Sequence, residues 1–180
     1  MKIVLMLAVL AIPAYAVETH SAKLIKEVEG VYRHRFAHRI DIPGTREEKY
    51  EAEDVVEVVH HGGEHIFLRA SVTLASGHVC TFHGIAGYDK GAFVYYDPNP
   101  GLNDKQVCTI TLAPKGESLT LTDRATPNGP STCPALCGPH GSLGHYAIAA
   151  SRREKITYMP HLKASKEYRL AVKAYEESQR

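Results

Sequence analysis

From Gly30 to Thr122 the chain is a succession of short β-prone runs cut by turn residues, and few architectures accept that pattern. Val31 to Ile40 is rich in strand formers and ends at the turn signal Asp41-Ile42-Pro43-Gly44. Glu47 to Glu53 is charged and reads as a loop or a strand entrance. Asp54-Val55-Val56-Glu57-Val58-Val59-His60 is the strongest β-run, and His61-Gly62-Gly63-Glu64 reads as a hairpin turn into Ile66 to Leu74. Further runs follow at Val79–Ala86, Ala92–Tyr96, Gln106–Leu112 and Ser118–Thr122. In the run after Gln106 the alternation is strict: Val107, Thr109 and Thr111 share one face, and Cys108, Ile110 and Leu112 the other. Seven or so strands joined by tight turns predict a mainly-β chain, an antiparallel meander that closes into a small barrel or curls strongly. Closure removes exposed edges.

Helical character is confined to the ends. Leu24, Ile25 and Val28 at helical spacing predict a short helix leading into the first strand. Leu162, Tyr168, Leu170, Ala171, Ala174 and Tyr175, set among Lys and Glu, predict an amphipathic C-terminal helix over residues 162–178. Lys2, the apolar run Ile3 to Ile12 and the small-x-small end at Ala14 and Ala16 have the form of a cleavable export signal, residues 1–16. Its apolar stretch is too short to span a bilayer, so no membrane anchor is expected after cleavage. The expected organisation is signal (1–16), barrel domain (17–160) and C-terminal helix (161–180), in a periplasmic or secreted protein.

Charge excludes some partners. The chain has 21 Lys+Arg against 20 Asp+Glu, a balance that implies neither a nucleic-acid nor an anionic-membrane partner. Eleven histidines would make it basic below about pH 6.

Four cysteines in an exported chain read as two disulfides. Cys80 and Cys108 fall on runs two strand positions apart, roughly 10 Å at about 4.8 Å per step, whereas disulfides rarely bridge Cα atoms beyond about 7 Å. Each strand cysteine is therefore expected to pair with Cys133 or Cys137, with the choice between these two left open. A Cys80–Cys108 bridge with a small Cys133–Cys137 ring competes, and a zinc site using Cys133, Cys137 and His140 is a third reading.

The segment from Cys133 to Ser142 holds two cysteines, two prolines and two glycines, the makings of a stiff loop that presents side chains at low entropic cost. Gly138, His140 and Ser142 are its candidate partner contacts; the competing reading is a covalent plug over one barrel end. His60, His61 and His65 form a weak metal candidate, against the plainer reading of a solvated hairpin tip. His34 and His38 share a strand face but stand about 13 Å apart along it, too far to share a metal. Cys-x-x-Cys-His, Gly-x-Ser-x-Gly and His-Glu-x-x-His are absent, so no cofactor and no catalytic residue is assigned. Asp97, Asp104, Glu117 and Asp123 read as solvated turn formers.

Gly30-Val31-Tyr32 resembles the Gly-x-aromatic strand start of lipocalin-like barrels. Cys108-x-Ile110-x-Leu112, Leu119-x-Leu121-x-Asp123 and Cys133-x-x-x-Cys137-Gly138 resemble, in that order, small exported bacterial β-barrel proteins of the lysozyme-inhibitor type. The resemblance covers residues 30 to 145 and departs from those inhibitors in lacking a Tyr-x-Cys start and a lipid anchor. It implies a small lipocalin-like barrel that acts as an inhibitor or immunity protein, its rigid loop entering the cleft of a cell-envelope hydrolase or toxin. The alternative is a carrier of a small apolar ligand or metal ion inside the barrel or at its mouth.

Overall fold

The computed structural model describes residues 18–40, 48–74, 77–98, 107–124, 126, 129–137, 141–144 and 146–180. The export signal and the Asp41–Gly44 turn lie outside them.

Among the described residues nine strands form one antiparallel sheet: β1 (Gly30–Ile40), β2 (Glu48–Gly62), β3 (His65–Thr73), β4 (Val79–Asp89), β5 (Ala92–Tyr96), β6 (Thr109–Lys115), β7 (Ser118–Thr122), β8 (Tyr146–Ala149) and β9 (Arg153–Glu154). Each of the first seven pairs with the next in sequence, and β9 returns to β1, opposite Val31 and Tyr32. β8 and β9 are one segment interrupted by a helical turn at Ala150–Arg152, so a single stretch of chain pairs with β7 at its start and with β1 at its end. The result is a nearly closed barrel, as the meander predicts. Glu48 to Glu53, read as loop or strand entrance, belongs to β2, whose first residues pair along the whole of β1.

Alternation decides which side chains enter the barrel. Tyr32, Val56, Val58, Ile66, Leu68, Ala70, Val72, Phe82, Phe93, Ile110, Leu112, Leu119, Leu121 and Ile148 form one core. Val56, Val58, Ile66, Leu68, Val72, Phe93, Ile110 and Leu112 retain no accessible surface. The centre of the barrel is thus filled by its own side chains and holds no ligand cavity against these residues.

The two mouths close differently. At the end carrying the β2–β3, β4–β5 and β6–β7 turns sits α1 (His20–Val28), which turns Leu24, Ile25 and Val28 into the barrel core. Thr19 caps it, its hydroxyl accepting from the Ala22 amide. The Tyr32 hydroxyl donates to the Val28 carbonyl at 2.9 Å, and Arg153 donates to the Lys26 and Glu27 carbonyls, satisfying acceptors that a helix C-terminus leaves open. The opposite mouth carries the β7–β8 connection with its disulfides.

A second core lies outside the barrel. Val31, Val59, Phe67 and Ile85, on the outer faces of β1 to β4, pack against Ile156, Leu162 and Ala171. The C-terminal helix predicted over 162–178 is two helices, α3 (Met159–Ala164) and α4 (Lys166–Ser178). Ser165 divides them: its extended backbone ends α3 while its hydroxyl accepts the Tyr168 amide at 3.2 Å and starts α4. Beneath them the buried carboxylate of Glu57 accepts from Arg69 and from the Tyr158 hydroxyl, which makes burying that charge tolerable.

Candidate functional site

The β7–β8 connection is held to the barrel at several points. Cys80 in β4 pairs with Cys137, and Cys108, one residue before β6, pairs with Cys133, at Cα separations of 4.2 and 4.6 Å. The two loop cysteines bracket α2 (Pro134–Cys137), where Pro134 and Ala135 are exposed while Cys133 and Cys137 are buried. Each strand-side cysteine takes one loop cysteine, as the spacing of β-runs requires. The ring closed by Cys133 and Cys137 alone does not form, and no cysteine is free for zinc.

Polar clamps reinforce the staples. Asp123, read from sequence as a solvated turn former, is fully buried. It ends β7 one alternation step beyond Leu119 and Leu121, and so points inward with them. Its carboxylate accepts from Ser131 Oγ at 2.5 Å and Ser142 Oγ at 2.8 Å. Its carbonyl accepts the Thr132 amide at 2.7 Å, and Thr132 Oγ1 in turn accepts the Thr109 amide at 3.0 Å. Residues 131–142 are therefore pinned at both ends to one carboxylate. Gly141 completes the fit: a Cβ there would stand 2.0 Å from the Cys137 carbonyl oxygen. Of the three proposed contact residues, Ser142 spends its hydroxyl on Asp123 and on the Gly144 amide at 3.0 Å, which makes it a brace of the loop. Gly138 and His140 lie outside the described residues.

Below this loop, inside the same mouth, is a polar group that sequence reasoning missed. His34 stands opposite Asp54, and His38 opposite Tyr50, on the β1–β2 ladder. Asp54 Oδ1 accepts the Thr73 amide at 2.7 Å, yet burial pushes the carboxyl above its ordinary range, against the opposing pull of Thr73, Tyr146, His34 and His38. Burial and the neighbouring Asp54 also push the Tyr146 hydroxyl far above a normal phenol, and among the described residues no hydrogen bond of good geometry reaches it. Asp54 occupies the inward alternation series of Val56 and Val58, and that was the signal available in the sequence. The rings of His34 and His38 are separated by Phe36, with centroids 5.0 and 6.0 Å from it, so the two imidazoles do not converge.

Two of the histidines at the β2–β3 turn serve the helix. His61 Nδ1 meets the Tyr168 hydroxyl at 3.0 Å, His65 Nε2 meets that of Tyr175 at 3.1 Å, and His60 Nε2 lies 3.2 Å from the Gly63 carbonyl. Burial depresses the His61 pKa, with His65 and Lys163 adding to the effect. Among the described residues no three His, Cys, Asp or Glu side chains converge as a metal site requires. His61 and His65 thus pack against α4, in contrast to the solvated tip read from sequence, while His60 stays exposed at the turn.

Two disulfides suit an oxidising, extracytoplasmic compartment. Among the described residues no helix is long and apolar enough to cross a membrane. Neither a family model, nor a curated protein, nor a solved structure matches this chain.

Proposed function

We propose that the protein is a periplasmic or secreted protein-binding module, an inhibitor or immunity protein directed at a peptidoglycan-cleaving hydrolase, with the segment from Cys133 to Ser142 as its contact loop. The observation that carries this reading is the double anchorage of that loop: disulfides to Cys80 of β4 and to Cys108 just before β6, and the buried Asp123 carboxylate bonded by Ser131 ahead of the loop and by Ser142 at its end. The described residues on either side, held at Cys133, Cys137 and Ser142, lose little freedom on binding, and preorganisation of this kind raises affinity without enlarging the interface. Pro134 and Ala135, exposed between the two loop cysteines, suit contact with a partner. The filled barrel centre removes the space in which a lipocalin-type carrier would hold an apolar ligand.

The test is a lysis assay. The mature protein is added at rising molar ratio to purified muramidases, amidases and endopeptidases acting on cell-wall suspensions. Stoichiometric slowing of one class of enzyme is expected, and it should vanish after reduction and thiol blocking. Unaffected clearing by every class, with no complex by calorimetry, would sink the reading.

A further inference from the structure

The barrel wall is incomplete between β4 and β5. Their pairing covers only Gly87–Val94, Tyr88–Phe93 and Asp89–Ala92, although β4 extends back to Val79. Beyond Val94, β5 continues along β6 alone, with Tyr95 opposite Ile110 and Tyr96 opposite Thr109. The direction of the unpaired backbone groups follows from hydrogen bonds at both ends of the β3–β4 ladder. The Leu74 amide donates to the His78 carbonyl at 2.8 Å, and the Tyr88 amide to the Glu64 carbonyl at 2.9 Å. Both pairs fit the ladder register, so even-numbered β4 residues bond to β3. Odd-numbered residues turn their N–H and C=O groups the other way. Gly87 and Asp89 meet β5 there; Thr81, His83 and Ile85 meet no strand among the described residues.

This free edge opens into a groove of about 600 Å³ between the sheet and the second half of α4, lined by His83, Ile85, Tyr96, Leu170, Ala174 and Tyr175 among others. Tyr96 is 61% and Leu170 47% exposed, two of the large apolar side chains that the described surface leaves in water. The rim carries Asp89, Lys173 and Glu177, charges of both signs. Donors and acceptors at alternate residues, with apolar and aromatic walls beside them, are the recognition elements of strand addition.

We propose that this groove binds an extended, uncharged peptide segment of a partner protein, which adds as a strand to Thr81, His83 and Ile85 of β4. From Thr81 to Ile85 the edge runs about 13 Å, enough for a five-residue strand. Outward side chains of that strand lie against Leu170 and Tyr175. An ammonium- or carboxylate-rich segment is not selected, because the rim charges oppose one another. The surface is separate from the contact loop and does not depend on it.

The probe is a displayed library of random nonamer peptides selected on the full mature chain. The expected peptides are extended and alternate apolar with polar residues. Their binding should slow amide exchange at Thr81, His83 and Ile85 selectively, and N-methylation of alternate peptide residues should weaken it about tenfold per blocked pair. Leu170→Arg and Tyr96→Arg, both surface changes, should abolish binding with circular dichroism unchanged. Selection that yields no binder, binders indifferent to N-methylation, or exchange unaltered at those amides would each overturn the proposal. So would a concentration-dependent dimer that protects the same amides, since the occupant would then be a second copy.

Discussion

Cys80 and Cys137 lie 57 residues apart in sequence and 4.2 Å apart at their Cα atoms, which ties the middle of the meander to the loop that crosses its open mouth. Closing a loop of that length removes denatured-state entropy worth about 4 kcal/mol, and the 25-residue Cys108–Cys133 loop about 3.5 kcal/mol, on the chain-entropy account. Replacing either pair with serine should lower the stability by roughly these amounts in urea titration. Native stability after loss of both bridges would show that the barrel core holds the fold alone.

Asp123→Ala should cost about 2–4 kcal/mol, because it strands the buried-side hydroxyls of Ser131 and Ser142 and opens a cavity. Amide exchange should accelerate through residues 131–144 well before it does in β2 and β3. Equal acceleration everywhere would mean that the carboxylate supports the whole fold and not this loop.

Gly84 faces Tyr95 so closely that a Cβ would stand 2.1 Å from the ring carbon Cε2. Gly84→Ala is therefore expected to destabilise by about 1–3 kcal/mol, although alanine suits a strand better than glycine. The clash is specific, so adding Tyr95→Leu should recover part of the loss. A double-mutant cycle with no coupling energy would show that the two residues do not compete for the space.

Acid should loosen α4. Burial depresses His61, with smaller effects from His65, Lys163 and His60 and an opposing pull from Glu176. It also depresses His83, with an opposing pull from Glu167 and a smaller push from Arg69. A histidine whose folded pKa lies below its unfolded value of about 6.5 contributes stability that is complete above that pH and is lost as pH falls toward the folded value. The urea midpoint should thus be lower near pH 5.5 than near pH 7.5, and His61→Phe should flatten the difference. Asp54, raised by burial, acts with the opposite sign in the carboxylate range, so the comparison belongs above about pH 5. An unchanged slope in His61→Phe would remove that residue from the account.

The meander, the strand runs and the assignment of each strand cysteine to a loop cysteine were legible in the residue order, because alternation and strand spacing are local quantities. Leu119, Leu121 and Asp123 show where such reading stops: alternation places all three on one face, and only the fold reveals that Ser131 and Ser142 arrive to satisfy the third. Likewise His61 and His65 looked like a solvated or metal-binding turn until α4 brought Tyr168 and Tyr175 from more than a hundred positions away. The choice of Cys137 for Cys80 and the gap beside β4 also belong to tertiary structure. Local pattern determined which elements form and which face each buries. Which distant groups meet was decided by packing, since a buried polar atom must find a partner wherever the folded chain supplies one.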